Sequence, residues 1–246
     1  MTSARRKDLP SPAEMASNAG LVLASYLEKT DDKGAGKRDL LKQAIKACDR
    51  AESLYKLAFD RWKAGTCGAN TASADLRVPG RLIVGLGGES VLETGITLHH
   101  TYGMPIVPGS ALKGLAAHYC NRELGPENPD LLQGGPHHHT IFGTSDDSGH
   151  VIFHDSWIFP GSKGLVMDVM TPHHGDYYSR KPGAAPTDFD NPNPVSFLSV
   201  TGNFRVVVSC QNKDWADFAL KLLKAALKDW GVGGKTNSGY GRMQTA

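Results

Sequence analysis

The stretch from Val195 to Trp230 constrains the fold more than any other part of the chain. Val195, Phe197 and Leu198 lead to Thr201-Gly202, then to Phe204, Val206, Val207 and Val208. Apolar and β-branched residues at that density predict buried strand, and the Thr-Gly step divides them into a strand pair. From Lys213 the period changes to that of a helix. Trp215, Phe218, Ala219, Leu222, Ala226 and Trp230 share one face, and Asp217, Lys221, Lys224 and Lys228 share the other. Such a helix has an apolar stripe to bury, and the preceding strands offer the sheet to bury it on.

Upstream segments extend the pattern. Arg81-Leu82-Ile83-Val84-Gly85 reads as a short buried strand. Ser110 reads as the N-cap of a helix running to about Leu124, which puts Lys113 in the first turn. Val151-Ile152-Phe153 and Trp157-Ile158-Phe159 mark strands, Leu165 to Met170 a further short one, and Tyr240 to Gln244 a last one. From residue 81 the order is strand, helix, strands, strand pair, helix, strand. This predicts an α+β fold with a ferredoxin-like or RNA-recognition-type (RRM-like) core carrying insertions. Two half-domains of similar design remain open as an alternative.

Residues 1–75 read as a separate helical region, and 76–246 as the α+β domain. Ser11-Pro12-Ala13-Glu14 is a helix-start signal, with proline in the first turn and a glutamate placed for a capping box. A longer helix follows from about Lys37 to Lys63, with Leu41, Ile45, Cys48, Ala51, Tyr55, Phe59 and Trp62 near one face. Its polar face mixes signs and reads as solvated. Residues 171–194, rich in Pro, Gly, Asp and Asn, read as a long loop.

The 246 residues carry a formal net charge of only +2. Any polyanion contact must therefore be local, a lined groove rather than a basic surface. Cys48, Cys67, Cys120 and Cys210 form no CxxC, which argues against a zinc ribbon or disulfide framework and fits a reducing, cytoplasmic setting. No signal peptide or membrane span is expected.

Two glycine-rich segments carry the chemistry. Pro105 to Gly114 includes Gly109, Ser110 and Lys113; Gly231 to Arg242 includes Gly233, Gly234, Lys235, Thr236, Asn237, Ser238, Gly239 and Tyr240. Each exposes backbone N–H groups, carries a lysine and lacks bulk, a combination suited to an anionic backbone held close. A cation in a helix first turn is misplaced unless an anion accompanies it. The second segment is neither a Walker A loop nor a dinucleotide fingerprint, and a helix C-cap with a hairpin turn would account for Gly231 alone. In the long loop, His173, His174, Tyr177, Tyr178 and Arg180 suit base stacking, or equally anchor the loop to its own domain.

The histidines (His99-His100, His137 to His139, His154, His173-His174) form no ready chelate, because neighbours in extended chain point to opposite sides. Asp155, Asp168 and Asp176 could complete a metal site only through the fold. No metal or cofactor is expected.

Gly85 to His99, continuing through Tyr102 to Gly114, resembles the RAMP superfamily of CRISPR proteins, as does the segment ending Gly239-Tyr240-Gly241-Arg242. Asp168 to Tyr178 narrows the resemblance to the family of sixth subunits of type III-B Cmr effector complexes. The resemblance covers about residues 80–245. It implies an RRM-like core that grips the guide (CRISPR) RNA backbone near its 3′ end, beside the repeated backbone subunit, in a non-catalytic role. The His137–His139 run has no place in that resemblance. The rival expectation is a guide-processing endoribonuclease using His99, His100 or His174 as general acid or base. A third, a metal hydrolase, requires stoichiometric metal.

Overall fold

The computed structural model describes residues 16–27, 34–88, 90, 92–171, 185, 187, 192 and 194–246. The helix-start signal at Ser11 to Glu14 lies outside them, as do His173, His174, Tyr177, Tyr178 and Arg180.

Helix α1 (Ala19–Ser25) begins where the Asn18 side chain accepts the Leu21 N–H at 3.0 Å. The Asn18 amide also donates to the carbonyls of His100 and Thr101, at 2.9 and 3.1 Å, so the cap doubles as a tie to a distant turn. Helix α2 (Ala35–Gly65) buries Leu41, Ala44, Cys48, Ala51, Tyr55 and Phe59, the face expected from the 3.6-residue spacing. Strand β1 (Thr71–Leu82) follows at once. The expected boundary at residue 75 therefore falls inside a strand. Its residues, TASADLRVPGRL, have weak β propensity, and tertiary pairing rather than local preference makes the strand.

The other elements are β2 (Ile106–Val107), α3 (Gly109–Tyr119) with a π turn over Cys120–Leu124, and α4 (Pro136–Phe142). Then come β3 (Ile152–Phe153), β4 (Ser156–Ile158), β5 (Gly164–Met170), β6 (Val195–Ser209), α5 (Lys213–Asp229) and β7 (Gln244–Thr245). Strand β6 corrects the expected strand pair. It runs as one strand through Thr201-Gly202, with Gly202 facing Val78 of β1 and Thr201 facing Gly164 of β5. A hairpin there would forfeit pairing on both edges.

All pairings are antiparallel, and the order is β2-β4-β6-β1-β7, with β3 and β5 also on β6. Three short strands (β3, β4, β5) thus share one edge of β6, and β1 takes the other. Reduced to β1–α3–β4–β6–α5–β7, the sheet reads β7-β1-β6-β4, the split βαβ arrangement of the ferredoxin-like fold.

The N-terminal helices share the core of the sheet. Tyr55 is fully buried, its hydroxyl donates to the Ile158 carbonyl at 2.7 Å, and its ring stacks on Trp157 at 5.6 Å. Trp62 stacks on the same indole at 5.2 Å. No described helix is long and apolar enough to cross a membrane.

Tyr55→Phe is expected to lower stability by about 1–2 kcal/mol, because the buried Ile158 carbonyl loses its donor. Tyr55→Ala should cost about 3–5 kcal/mol. Urea denaturation checks both; a wild-type midpoint in both variants would mean that α2 does not share the core.

Candidate nucleic-acid interface

Helix α3 starts two residues earlier than expected. Its N-cap is Pro108, and Ser110 is an exposed first-turn residue that caps nothing. Lys113 consequently sits in the second turn. The Asp155 carboxylate takes the Gly109 N–H at 2.7 Å and supplies the negative charge that a helix N-terminus attracts. Gly109 is glycine because a Cβ there would lie 2.1 Å from the Phe153 carbonyl oxygen. This helix end is thus served from within the chain.

The second segment begins with Gly231, just past the end of α5, at φ 79°. Sequence logic credited only this glycine to structure, and the fold credits two more. Gly233 has φ 89°, and a Cβ would meet the Ile83 carbonyl oxygen at 2.1 Å; Gly241 has φ 75°, with Val232 O at 2.0 Å. Backbone hydrogen bonds clamp the same contacts: Gly234 N–H to Ile83 O at 2.8 Å, Gly241 N–H to Arg81 O at 2.7 Å and Val232 N–H to Gly241 O at 3.0 Å. Gly239 differs. At φ 84° it has open space where a Cβ would be.

Between the clamps, Lys235 is left-handed at φ 61°, ψ 30°, and Thr236–Ser238 form a single 3-10 turn. The hydrogen bonds of this turn start at Ser238 N–H. Among the described residues, no acceptor meets the N–H groups of Lys235, Thr236 or Asn237. A left-handed residue followed by right-handed ones makes successive amides converge, the geometry of an anion-binding nest. A non-glycine residue held left-handed is also strained, by about 1–2 kcal/mol.

Side chains hold the turn against the sheet. The Tyr240 hydroxyl donates to Asp168 Oδ2 at 2.6 Å, and the Lys235 ammonium lies 6.0 Å from the centre of the Phe197 ring. Asp168 also accepts from Ser199 Oγ at 3.3 Å and from the Val169 N–H at 2.9 Å, with Arg81 Nε at 3.5 Å. Burial would raise the Asp168 carboxyl, but these hydrogen bonds and the arginine outweigh it and hold its pKa below the usual carboxylate value. Burial, then the bond to Asp168, pushes Tyr240 up to about 12. Asp168, read from sequence as a conceivable metal ligand, instead anchors the loop. Nothing in the sequence paired it with Tyr240, 72 residues away.

Among the described residues, no hydrogen bond or ion pair joins the two glycine-rich segments. The C-terminal end of α3 borders the loop, where His118, Arg122, Glu123, Asp229, Trp230, Thr236, Asn237 and Arg242 line one cleft of about 640 Å³. Gly109 lies nine residues before His118, roughly 13 Å along the helix axis.

The histidines are dispersed. His99 packs on Tyr102 and Trp157, at 4.7 and 4.8 Å between ring centres, and its Nδ1 accepts the Thr101 N–H at 3.2 Å. His154 Nε2 pairs with Ser209 Oγ at 2.9 Å. Burial lowers the pKa of both. Among the described residues, no group of three or more His, Cys, Asp or Glu is placed to hold a metal.

Residues 75–244 match the family model of the RAMP superfamily. The CRISPR system Cmr subunit Cmr6 of Pyrococcus furiosus is 28% identical over an alignment that spans 304 positions with gaps, covering 97% of this chain and 88% of that protein. The Cmr6 subunit of Saccharolobus solfataricus is 25% identical over 166 residues, covering 65% of this chain and 52% of that protein. A chain in the cryo-EM structure of the Type III-B Cmr-beta bound to cognate target RNA superposes with a TM-score of 0.65 at 20% identity. It covers 93% of this chain and 78% of its own length, and the likeness is one of fold.

Gly241→Ala is expected to destabilise by about 2–4 kcal/mol, since both its φ and the Val232 contact forbid a side chain. Gly239→Ala should cost only the backbone strain, about 1–2 kcal/mol. Equal losses in thermal denaturation would contradict the clamp.

Because the folded pKa of Asp168 is depressed, its contribution is complete above the unfolded value near about pH 4. It disappears as pH falls through the folded value. Asp168→Asn should therefore destabilise at neutral pH and flatten the acid limb of the stability curve below about pH 4. An acid limb identical to wild type would remove the anchor.

Proposed function

The chain belongs to the RAMP superfamily, and on that footing we propose that it is a non-catalytic RNA-binding subunit of a type III-B CRISPR ribonucleoprotein. It grips the guide RNA backbone, and reaches target RNA through the assembly. The observation that carries this reading is the clamped turn at Lys235 to Ser238. Three successive amides with no acceptor among the described residues and a lysine side chain beside them suit one or two phosphates. Loop residues Gly233 to Tyr240 and Arg242 form the main contact. Gly109 and Ser110 contribute less, because Asp155 already serves the Gly109 amide, while Lys113 remains available along α3. His173, His174, Tyr177, Tyr178 and Arg180 are assigned to the RNA or to a neighbouring subunit.

The partners are the guide RNA and the other subunits of the effector, including its repeated backbone subunit. Similarity to Cmr6 supports that placement over most of the chain. A cytoplasmic location accompanies it.

Titration of the purified chain with single-stranded RNA at fixed salt is the test. Lys235→Glu should weaken binding about tenfold, whereas Lys63→Glu, an equal charge change at the end of α2, should leave it within about twofold. Equal losses would mean that net charge alone governs binding. Incubation of guide-repeat and target RNAs with the chain, with and without divalent metal, should yield no cleavage. Cleavage abolished by one His→Ala change would establish an enzyme instead.

A further inference from the structure

The cleft between α3 and the loop has a composition that phosphate binding alone does not explain. Arg122 and Arg242 contribute cations, and neither has a carboxylate partner among the described residues. Glu123 and Asp229 contribute carboxylates to the same walls. A cup for phosphates would exclude them, since each offsets one arginine.

The two acids are not equivalent. Asp229 accepts the Tyr119 hydroxyl at 2.8 Å and is held in place. Glu123 is exposed, with no hydrogen bond or ion pair among the described residues. Trp230, half-buried, forms an aromatic surface braced by His118 at 5.2 Å and Tyr119 at 5.1 Å between ring centres. Thr236 and Asn237 bring a hydroxyl and an amide from the clamped turn. At about 640 Å³ the space falls within the range of small-ligand clefts, about 300–1,000 Å³.

We propose that this cleft holds one ribonucleotide of the bound strand and gives the chain its preference for RNA over DNA. The inference rests on the RNA-binding reading above. Arg122 and Arg242 pair with the phosphates on either side of the nucleotide. The indole of Trp230 carries the base, and Asn237 meets its edge. Glu123 accepts a hydrogen bond from the ribose 2′-hydroxyl, the one donor that DNA lacks. The carboxylates are thereby part of the recognition: a deoxyribose leaves Glu123 unpaired beside the backbone and repelled by it.

The test compares RNA and DNA oligonucleotides of one sequence on the full chain. Wild type should prefer RNA. Arg122→Ala should weaken both about three- to tenfold and lower the slope of log K against log salt by about 0.7, one single-strand phosphate. Glu123→Ala should reduce the RNA-to-DNA ratio toward one, with RNA affinity falling while DNA affinity holds or rises. Equal gains for both nucleic acids would make Glu123 a mere repulsive charge and overturn the proposal. Unchanged binding by Arg122→Ala, with Lys235→Glu still impaired, would also overturn it while leaving the RNA reading intact. Failure of the wild-type chain to bind either oligonucleotide would bring down both.

Discussion

The backbone ladder of β6 is the constraint on which the rest of the structure depends. A strand of 15 residues pairs with β1 along one edge and with β3, β4 and β5 in succession along the other. Three strands of two, three and seven residues have no independent stability. They exist because β6 offers one continuous row of donors and acceptors. Phe204, Val206 and Val208 are buried to 1% exposure or less, which locks the register, since a one-residue slip would turn that apolar set to the opposite face. The helices then cover this sheet, and Tyr55 fastens the N-terminal region to β4 through the Ile158 carbonyl.

The candidate interface inherits its rigidity from the same sheet. Arg81 and Ile83, at the end of β1, present carbonyls to the amides of Gly241 and Gly234. Asp168 on β5 holds Tyr240. The turn between these anchors keeps Lys235 in a strained backbone conformation, and the surrounding bonds over-determine it. Preorganisation of this kind reduces the ordering cost of capturing an anionic chain. For the proposed RNA contact, it removes the need for a broadly basic surface, which a formal charge of only +2 does not provide.

The strongly periodic elements were legible from sequence. Helix α5 and the longer N-terminal helix follow from spacing alone, the strand character of the β6 segment follows from its apolar and β-branched residues, and the order of elements from residue 81 gives the ferredoxin-like core. Strand β1 was mostly not legible, because Thr71 to Asp75 consists of small and polar residues whose strand state comes from pairing. The Thr201-Gly202 step looks like a turn in one dimension, and only the occupied edges on both sides keep it extended. Ser110 had the chemistry of a cap, but Asp155, 46 residues away from Gly109, holds the cap position's work. The glycine-rich loop stands out in the sequence as a candidate site. The division of its glycines, three fixed by close backbone approach and Gly239 left open, depends on Gly241, Ile83 and Val232 being brought together in space. Arg122 and Trp230 carried no motif, and the cleft emerges only when α3 is laid beside the loop.

The central claim is that the loop at 231–242 touches RNA in the working assembly. Ultraviolet crosslinking of the purified ribonucleoprotein, followed by mass-spectrometric mapping of nucleotide-bearing peptides from this chain, tests it most directly. The account predicts crosslinks within the peptide spanning Lys235 to Arg242, with the exposed face of α2 free of them. Crosslinks confined to α2, or recovery of this chain in an assembly that leaves the 231–242 peptide unmodified while other subunits crosslink normally, would contradict it.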